Sequence, residues 1–449
     1  MKGFTATLVA TAGLLFSGIA SAKITEPVTV KGNAFFVGNN RFYIRGVDYQ
    51  PGGSSNLADS LSNTTVCKRD ISYMKDLGLN TLRVYTVDNS ANHDECMDLL
   101  SEAGIYLILD VNTPKFSISR DFPVASYNEV YLQHVFATID AFSKYTNTLG
   151  FFAANEVINA ANSTRAATIV KALIRDMRKY IGKHSSRPIP VGYSAADVAE
   201  NRREMAHYLN CGSDDARSDF FAFNDYSWCG ASSFVQSGWD KKVENYTDYS
   251  IPLFLSEFGC IDVKPRIFNE VKALYSTQMT GVFSGGLVYE FTQEPNNYGL
   301  VQINGDNVTT LTDYDNLKKQ YSSTNNPSGD GNYQEGLPPS DCPARTSSWE
   351  AFNTLPDLPS AASTYMNNGA GKPQGTNGAS SQFVPQNQKD YKLPGESGAP
   401  APSSSGSAVN SGDKKKGGAA GGMAGLAVGS LWMGTVVGLG TIAGAMLLF

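Results

Sequence analysis

Eight times along this chain, a short run of β-branched and other apolar residues is followed by a polar loop and a stretch with helical spacing. The strand-like runs are residues 42–49, 79–85, 106–111, 150–156, 189–193, 220–226, 252–257 and 286–291. Helix-period segments, such as 66–77, 94–103, 130–145 and 164–181, lie between them. Strands that are apolar throughout suit a parallel sheet covered by helices. Eight such units in succession predict an α/β fold, the (β/α)8 TIM barrel, over residues 23–322. The rival is an open doubly wound sheet. It more often carries an early glycine-rich phosphate loop, and the sequence shows none.

Residues 312–321 are expected to form the closing helix. A C-terminal extension, 323–366, contains a Pro/Gly/Asp-rich stretch with Cys342 and then enough apolar residues over 349–365 to pack on the barrel. From 367 to 410 the composition turns to Gly, Ser, Pro, Asn and Gln. Such a segment buries no core and reads as a flexible linker.

Both ends of the chain carry processing signals. Lys2, the apolar run 6–19 and Ala20-Ser21-Ala22 form a signal-peptide pattern over residues 1–22. At the other end, residues 423–449 contain no charge and follow a Gly/Ala spacer and Lys414-Lys415-Lys416. The small residues Asn410, Ser411 and Gly412 precede these. That order is the GPI-attachment pattern, with Asn410 as the expected attachment residue and 411–449 as the removed propeptide. A transmembrane anchor would leave the three lysines on the lumenal side, against the usual bias of basic residues. The expected location is the outer face of the plasma membrane, with the cell wall as a further one. Four Asn-x-Ser/Thr sequons, at Asn63, Asn162, Asn245 and Asn307, suit an exported glycoprotein.

Export also makes the six cysteines candidates for three disulfides. Fifteen connectivities are possible, so placement must choose among them. Cys229 follows the sixth strand and Cys260 the seventh, on neighbouring loops of one face. Cys67 opens the first helix and Cys96 lies in the second. Cys211 and Cys342 remain. The expected pairs are therefore 67–96, 229–260 and 211–342. With four histidines and no Cys/His spacing typical of zinc, no metal or cofactor is expected. A net charge of −6 gives no hint of nucleic-acid binding.

A TIM barrel places its active site at the C-terminal ends of its strands. Glu156 ends the fourth strand, Glu257 the seventh and Asp110 the third, and Glu290 lies near the end of the eighth. Glycosidic chemistry needs two carboxylates across one mouth, one to protonate the leaving oxygen and one to attack or to activate water. Strands four and seven lie on opposite sides of a barrel, so Glu156 and Glu257 are the candidate pair. Asn-Glu also occurs at Asn128 and Asn269, but in helix-like segments where it reads as solvated surface. Asn155, beside Glu156, offers an amide for a sugar hydroxyl.

Around these residues the chain resembles the fungal wall β-1,3-glucanosyltransferases of glycoside hydrolase family 72, the Gas/Gel/Phr type. The resemblance is carried by Arg45-Gly46-Val47-Asp48-Tyr49-Gln50-Pro51-Gly52-Gly53, Asn80-Thr81-Leu82-Arg83-Val84-Tyr85 and Asp110-Val111-Asn112-Thr113-Pro114. It continues through Tyr226-Ser227-Trp228-Cys229-Gly230, Ser256-Glu257-Phe258-Gly259-Cys260 and Tyr289-Glu290-Phe291. It covers nearly all of residues 23–365. Some relatives carry a second, cysteine-rich carbohydrate-binding module. With one cysteine beyond 260, this chain lacks it.

The resemblance implies Glu156 as acid/base and Glu257 as nucleophile of a retaining mechanism, with carboxyl groups about 5–5.5 Å apart. It implies Gln50, Tyr85, Asp110, Asn155, Tyr226 and Tyr289 around the reacting sugar, although Asp110 and Glu290 also suit structural hydrogen bonding. The expected partners are β-1,3-glucan donor and acceptor chains and the lipid anchor, with the protein a monomer. The residues themselves leave transfer and plain endo-β-1,3-glucanase hydrolysis open, and the resemblance favours transfer. A non-catalytic wall-binding barrel would have no need of both glutamates.

Overall fold

The computed structural model describes residues 23–382 and 391–397. Eight parallel strands close into a barrel in sequence order: β4 (Ile44–Asp48), β5 (Thr81–Val84), β6 (Tyr106–Asp110), β7 (Thr148–Asn155), β8 (Val191–Ala196), β9 (Phe220–Asp225), β10 (Leu253–Phe258) and β11 (Phe283–Val288). Each of the eight predicted runs overlaps one of them, with β7 and β11 starting earlier than expected and β8 and β10 ending later. β6, β9, β10 and β11 are buried at every residue, as strands with helices outside and a packed interior must be.

Ahead of the barrel stands a sheet that the strand pattern did not reveal: β1 (Val28–Lys31), β2 (Ala34–Val37) and β3 (Asn40–Phe42), all antiparallel. It stoppers the floor. Phe35 of β2 packs edge-on against Phe220 and Phe254, with ring centres 6.0 and 5.9 Å apart, and both touch Phe152. Val28, Ile44, Ile108 and Leu287 complete this inner core. The outer, larger core lies between barrel and helices. A second small hairpin, β12 (Val301–Asn304) with β13 (Asn307–Thr310), follows the barrel and leads into the predicted closing helix, Thr312–Ser323.

Disulfides join Cys67 to Cys96, Cys211 to Cys342 and Cys229 to Cys260. The first ties helix Thr64–Asp76 to helix Asp94–Glu102, and the last links the loops after β9 and β10. The middle one pins the extension, whose fully buried Trp349 packs 5.4 Å from the Tyr208 ring.

The linker expected from residue 367 needs correction. Residues 367–382 and 391–397 lie against the barrel, with Ala370 and Leu393 buried and Glu396 paired to Arg165 at 2.6 Å. Composition misled because this stretch is held through its backbone. Gln133 donates to the carbonyls of Ala370 and Lys372, and Asn128 to that of Ser381. The signal peptide, the remainder of the linker, Asn410 and the 411–449 propeptide fall outside the described residues.

Candidate active site

Glu257 lies near the C-terminal end of β10, buried, with donors on both carboxylate oxygens. Tyr85 and the Arg83 guanidinium donate to Oε1 at 2.8 and 3.3 Å, and Tyr226 donates to Oε2 at 2.7 Å. Glu156 comes directly after β7 with φ of +48°, a left-handed conformation that costs a non-glycine residue about 1–3 kcal/mol. Its amide donates to the Ser194 carbonyl at 2.9 Å, and its own carbonyl accepts from Arg120 at 2.8 Å. Its Oε1 accepts from Asn224 at 2.8 Å. Strain of this size persists only where neighbours hold it, and here they grip the backbone from both sides.

Arg83 organises the floor of the mouth. It is fully buried, in the strand Thr81–Val84, between the Tyr85 and Phe152 rings at 4.3 and 4.6 Å. Its donor fork reaches Asp110 and Asn155, each at 3.1 Å, as well as the Ser256 carbonyl and Glu257. Asp48 stands 3.8 Å away. One guanidinium thus faces three carboxylates, with Glu290 close enough to raise Asp48 and to be raised in turn by Glu257. Burial raises Asp110 to about 6 and Glu290 to about 8, and holds Asp48 well above the carboxylate range. Burial likewise pushes Glu257 up, to about 7, against the pull of Arg83 and its two tyrosines. The negative charge of Glu156 across the mouth adds to that rise. The three donors on Glu257 favour its anion and oppose the effect of burial.

A second network fixes the amide beside Glu156. Asn155 Oδ1 accepts from Arg83, from Ser194 at 2.7 Å and from Asn224 at 3.1 Å. Ser256 and Ser194 both bond Asn224 Oδ1, linking β8, β9 and β10. Above Glu257, Tyr289 lies edge-on to Tyr85, Tyr226 and Tyr298, with centres 6.4, 6.4 and 5.1 Å apart. Such rings offer faces for a pyranose and hydroxyls for its edges.

The structure therefore gathers Glu156, Glu257, Tyr85, Asn155, Tyr226 and Tyr289 at one mouth. Gln50 needs correction. It is 1% exposed, its Nε2 donates to the Ala58 and Asn56 carbonyls, and its Oε1 accepts from the Thr86 amide. Gln50 shapes loops instead of offering a free amide to sugar. Asp110 is committed to Arg83, and Glu290 Oε1 accepts from Asn296 at 2.7 Å, so both are built into the wall. Sequence reasoning passed over Arg83, Asn224, Ser194, Asp48 and Tyr298. A signal did exist for Arg83 and Asp48, as charged residues inside runs otherwise buried on both faces.

The asparagines of the four sequons are all exposed, and Asn63 also caps helix Thr64–Asp76 through its Oδ1. Cys229, Cys260 and Asp262 come close enough to be imagined as metal ligands, but the two sulfurs are bonded to each other and offer no thiolate.

Comparison with known proteins agrees with this geometry. A family model described as Glucanosyltransferase, of glycoside hydrolase group 72, matches residues 17–325. The chain is 62% identical over 351 residues to the 1,3-beta-glucanosyltransferase gel1 of Aspergillus fumigatus, covering 78% of this chain and 77% of that one. It is 59% identical over 387 residues to GAS5 of Saccharomyces cerevisiae, a 1,3-beta-glucanosyltransferase, covering 85% and 80%. Among solved structures it superposes on a mutant of Saccharomyces cerevisiae Gas2p in complex with laminaritetraose and laminaripentaose. There the TM-score is 0.69 and the identity 41%, over 75% of each chain.

Proposed function

The chain belongs to the glucanosyltransferases of glycoside hydrolase family 72, and on that premise we propose the part each mouth residue plays. The protein is a 1,3-β-glucanosyltransferase. It cleaves an internal β-1,3-glucan bond and joins the new reducing end to the non-reducing end of a second glucan.

In the first step, Glu257 attacks the anomeric carbon and forms a glycosyl ester while Glu156 gives its proton to the departing oxygen. In the second, Glu156 takes the proton of the acceptor's hydroxyl as that oxygen displaces Glu257, so two inversions retain the β configuration. Tyr85, Tyr226 and Arg83 orient the nucleophile and stabilise its charge. With its carbonyl oxygen committed, Asn155 has its NH2 end left for a sugar hydroxyl. Tyr226, Tyr289 and Tyr298 provide ring faces for the pyranose. The observation that carries this reading is the set of three donors on Glu257, with Glu156 held across the mouth.

Sizing the products from a reduced β-1,3-glucan oligosaccharide tests the acceptor. Chains longer than the starting material are the expected result. Exclusive build-up of shorter ones would mean that water takes the acceptor's place and that the enzyme is an endo-β-1,3-glucanase.

The same reading makes the protein an exported enzyme on a GPI anchor at Asn410, supported by the sequence patterns at both ends. Among the described residues, no helix is long and apolar enough to cross a membrane. Phosphatidylinositol-specific phospholipase C should release the activity from intact membranes. Retention after that treatment would rule the anchor out.

A further inference from the structure

The stretch 370–382 does more than lie on the surface. It crosses the loops that follow β5 and β6, on the face that carries the active site. The Gly375 amide donates to Asn89 Oδ1 at 3.0 Å, and Lys115 Nζ donates to the Thr376 carbonyl at 2.9 Å. The Ser381 amide returns to the Lys115 carbonyl at 3.0 Å, and Gln382 bonds Ser117. Lys115 and Ser117 are thus gripped through side chain and backbone alike. Phe116, between them, is stacked on His134 with ring centres 4.0 Å apart.

Arg120 belongs to that same loop. Its Nη2 donates to the Glu156 carbonyl at 2.8 Å and its Nε to the Val157 carbonyl at 3.3 Å. The carbonyl it holds is that of the left-handed residue. Contacts therefore run without a break from the strap, through the 115–120 loop and Arg120, to the strained backbone of Glu156.

We infer that residues 370–382 are a brace for the acid/base: they fix the loop after β6 so that Arg120 keeps the Glu156 backbone in its left-handed turn. This rests on the acid/base reading of Glu156. Gly375, Lys115 and Arg120 are then positioning residues for the transfer, and the catalytic unit extends past residue 366, where the extension was expected to end.

Gly375 is the place to test it. It sits at φ of +62°, and a Cβ there would meet Asp88 Oδ1 at 2.5 Å and Ser90 Oγ at 2.7 Å. Gly375→Val in the full chain should dislodge the strap without touching the mouth. With a laminari-oligosaccharide donor, kcat should fall on the order of tenfold, since small misplacements of a catalytic group are costly. KM should stay nearly unchanged. With an aryl glycoside whose leaving group needs no proton, formation of the glycosyl-enzyme should stay within about twofold of the parent, because no general acid is required. Arg120→Met should give the same split, and the double variant should be little worse than the poorer single one, since contacts in one chain do not add.

If Gly375→Val proves too unstable to purify, Lys115→Met removes a single tie and should show a smaller effect of the same kind. Equal losses on both donors, additive losses in the double variant, or no loss at all would overturn the brace. Failure of the underlying reading would appear differently, as a Glu156→Gln variant that loses both donors alike.

Discussion

Glu257→Gln is expected to lower transfer on β-1,3-glucan oligosaccharides by more than about a thousandfold, since the covalent route disappears with the carboxylate. The amide keeps the shape of the side chain and can still accept from one tyrosine, so folding should be spared. Glu156→Gln should cost about 10²–10⁴-fold on the same substrates, the usual worth of general acid–base catalysis. The two variants separate on an activated aryl donor. Glu156→Gln should still release a burst of phenol as the ester forms and then stall, because nothing deprotonates the acceptor. Glu257→Gln should give no burst. Rapid-quench measurement of the phenol decides it. A burst in Glu257→Gln, or substantial steady turnover on glucan in either variant, would overturn the assignment.

Arg83→Met is expected to destabilise the fold by about 3–5 kcal/mol, the usual cost of breaking a buried ion pair from one side. The loss should depend on pH in a direction that can be worked out. Asp110 and Glu257 are raised to about 6 and 7, whereas an unfolded chain releases these protons near about 4. Between those limits the unfolded chain binds fewer protons than the folded one, so stability falls as pH rises through that window. The parent already carries this slope. Removing Arg83, the cation that opposes burial at both groups, raises both values further and steepens it. Urea unfolding at about pH 4.5 and 7.5 should show the smaller gap between variant and parent at the acid end. Equal gaps would mean that Arg83 acts by packing alone.

The barrel was legible because eight apolar runs and their helical partners repeat, and period and order survive in sequence. Glu156 and Glu257, the proposed catalytic pair, followed from register, since a carboxylate at a strand's C-terminal end stands at the mouth. Arg83 was harder to read. Its importance comes from Asp110, Asn155 and Glu257 converging on it from three other strands, and no local pattern records a meeting of that kind. Gln50 was misread for the opposite reason: its type suits sugar, but nearby carbonyls take its amide. The strap over 370–382 escaped because composition measures what side chains can bury, whereas this segment is fastened largely by backbone amides and carbonyls.

The phenylalanine stopper at the base of the barrel bears on the fate of the glycosyl ester. Phe35, Phe152, Phe220 and Phe254 pack against one another in the interior below Arg83, so the site opens at the mouth of the barrel. Sugar and water must then compete at a single doorway. The ratio of elongation to wasteful hydrolysis becomes a matter of occupancy at that doorway, and a crowded glucan wall is itself the condition that favours growth.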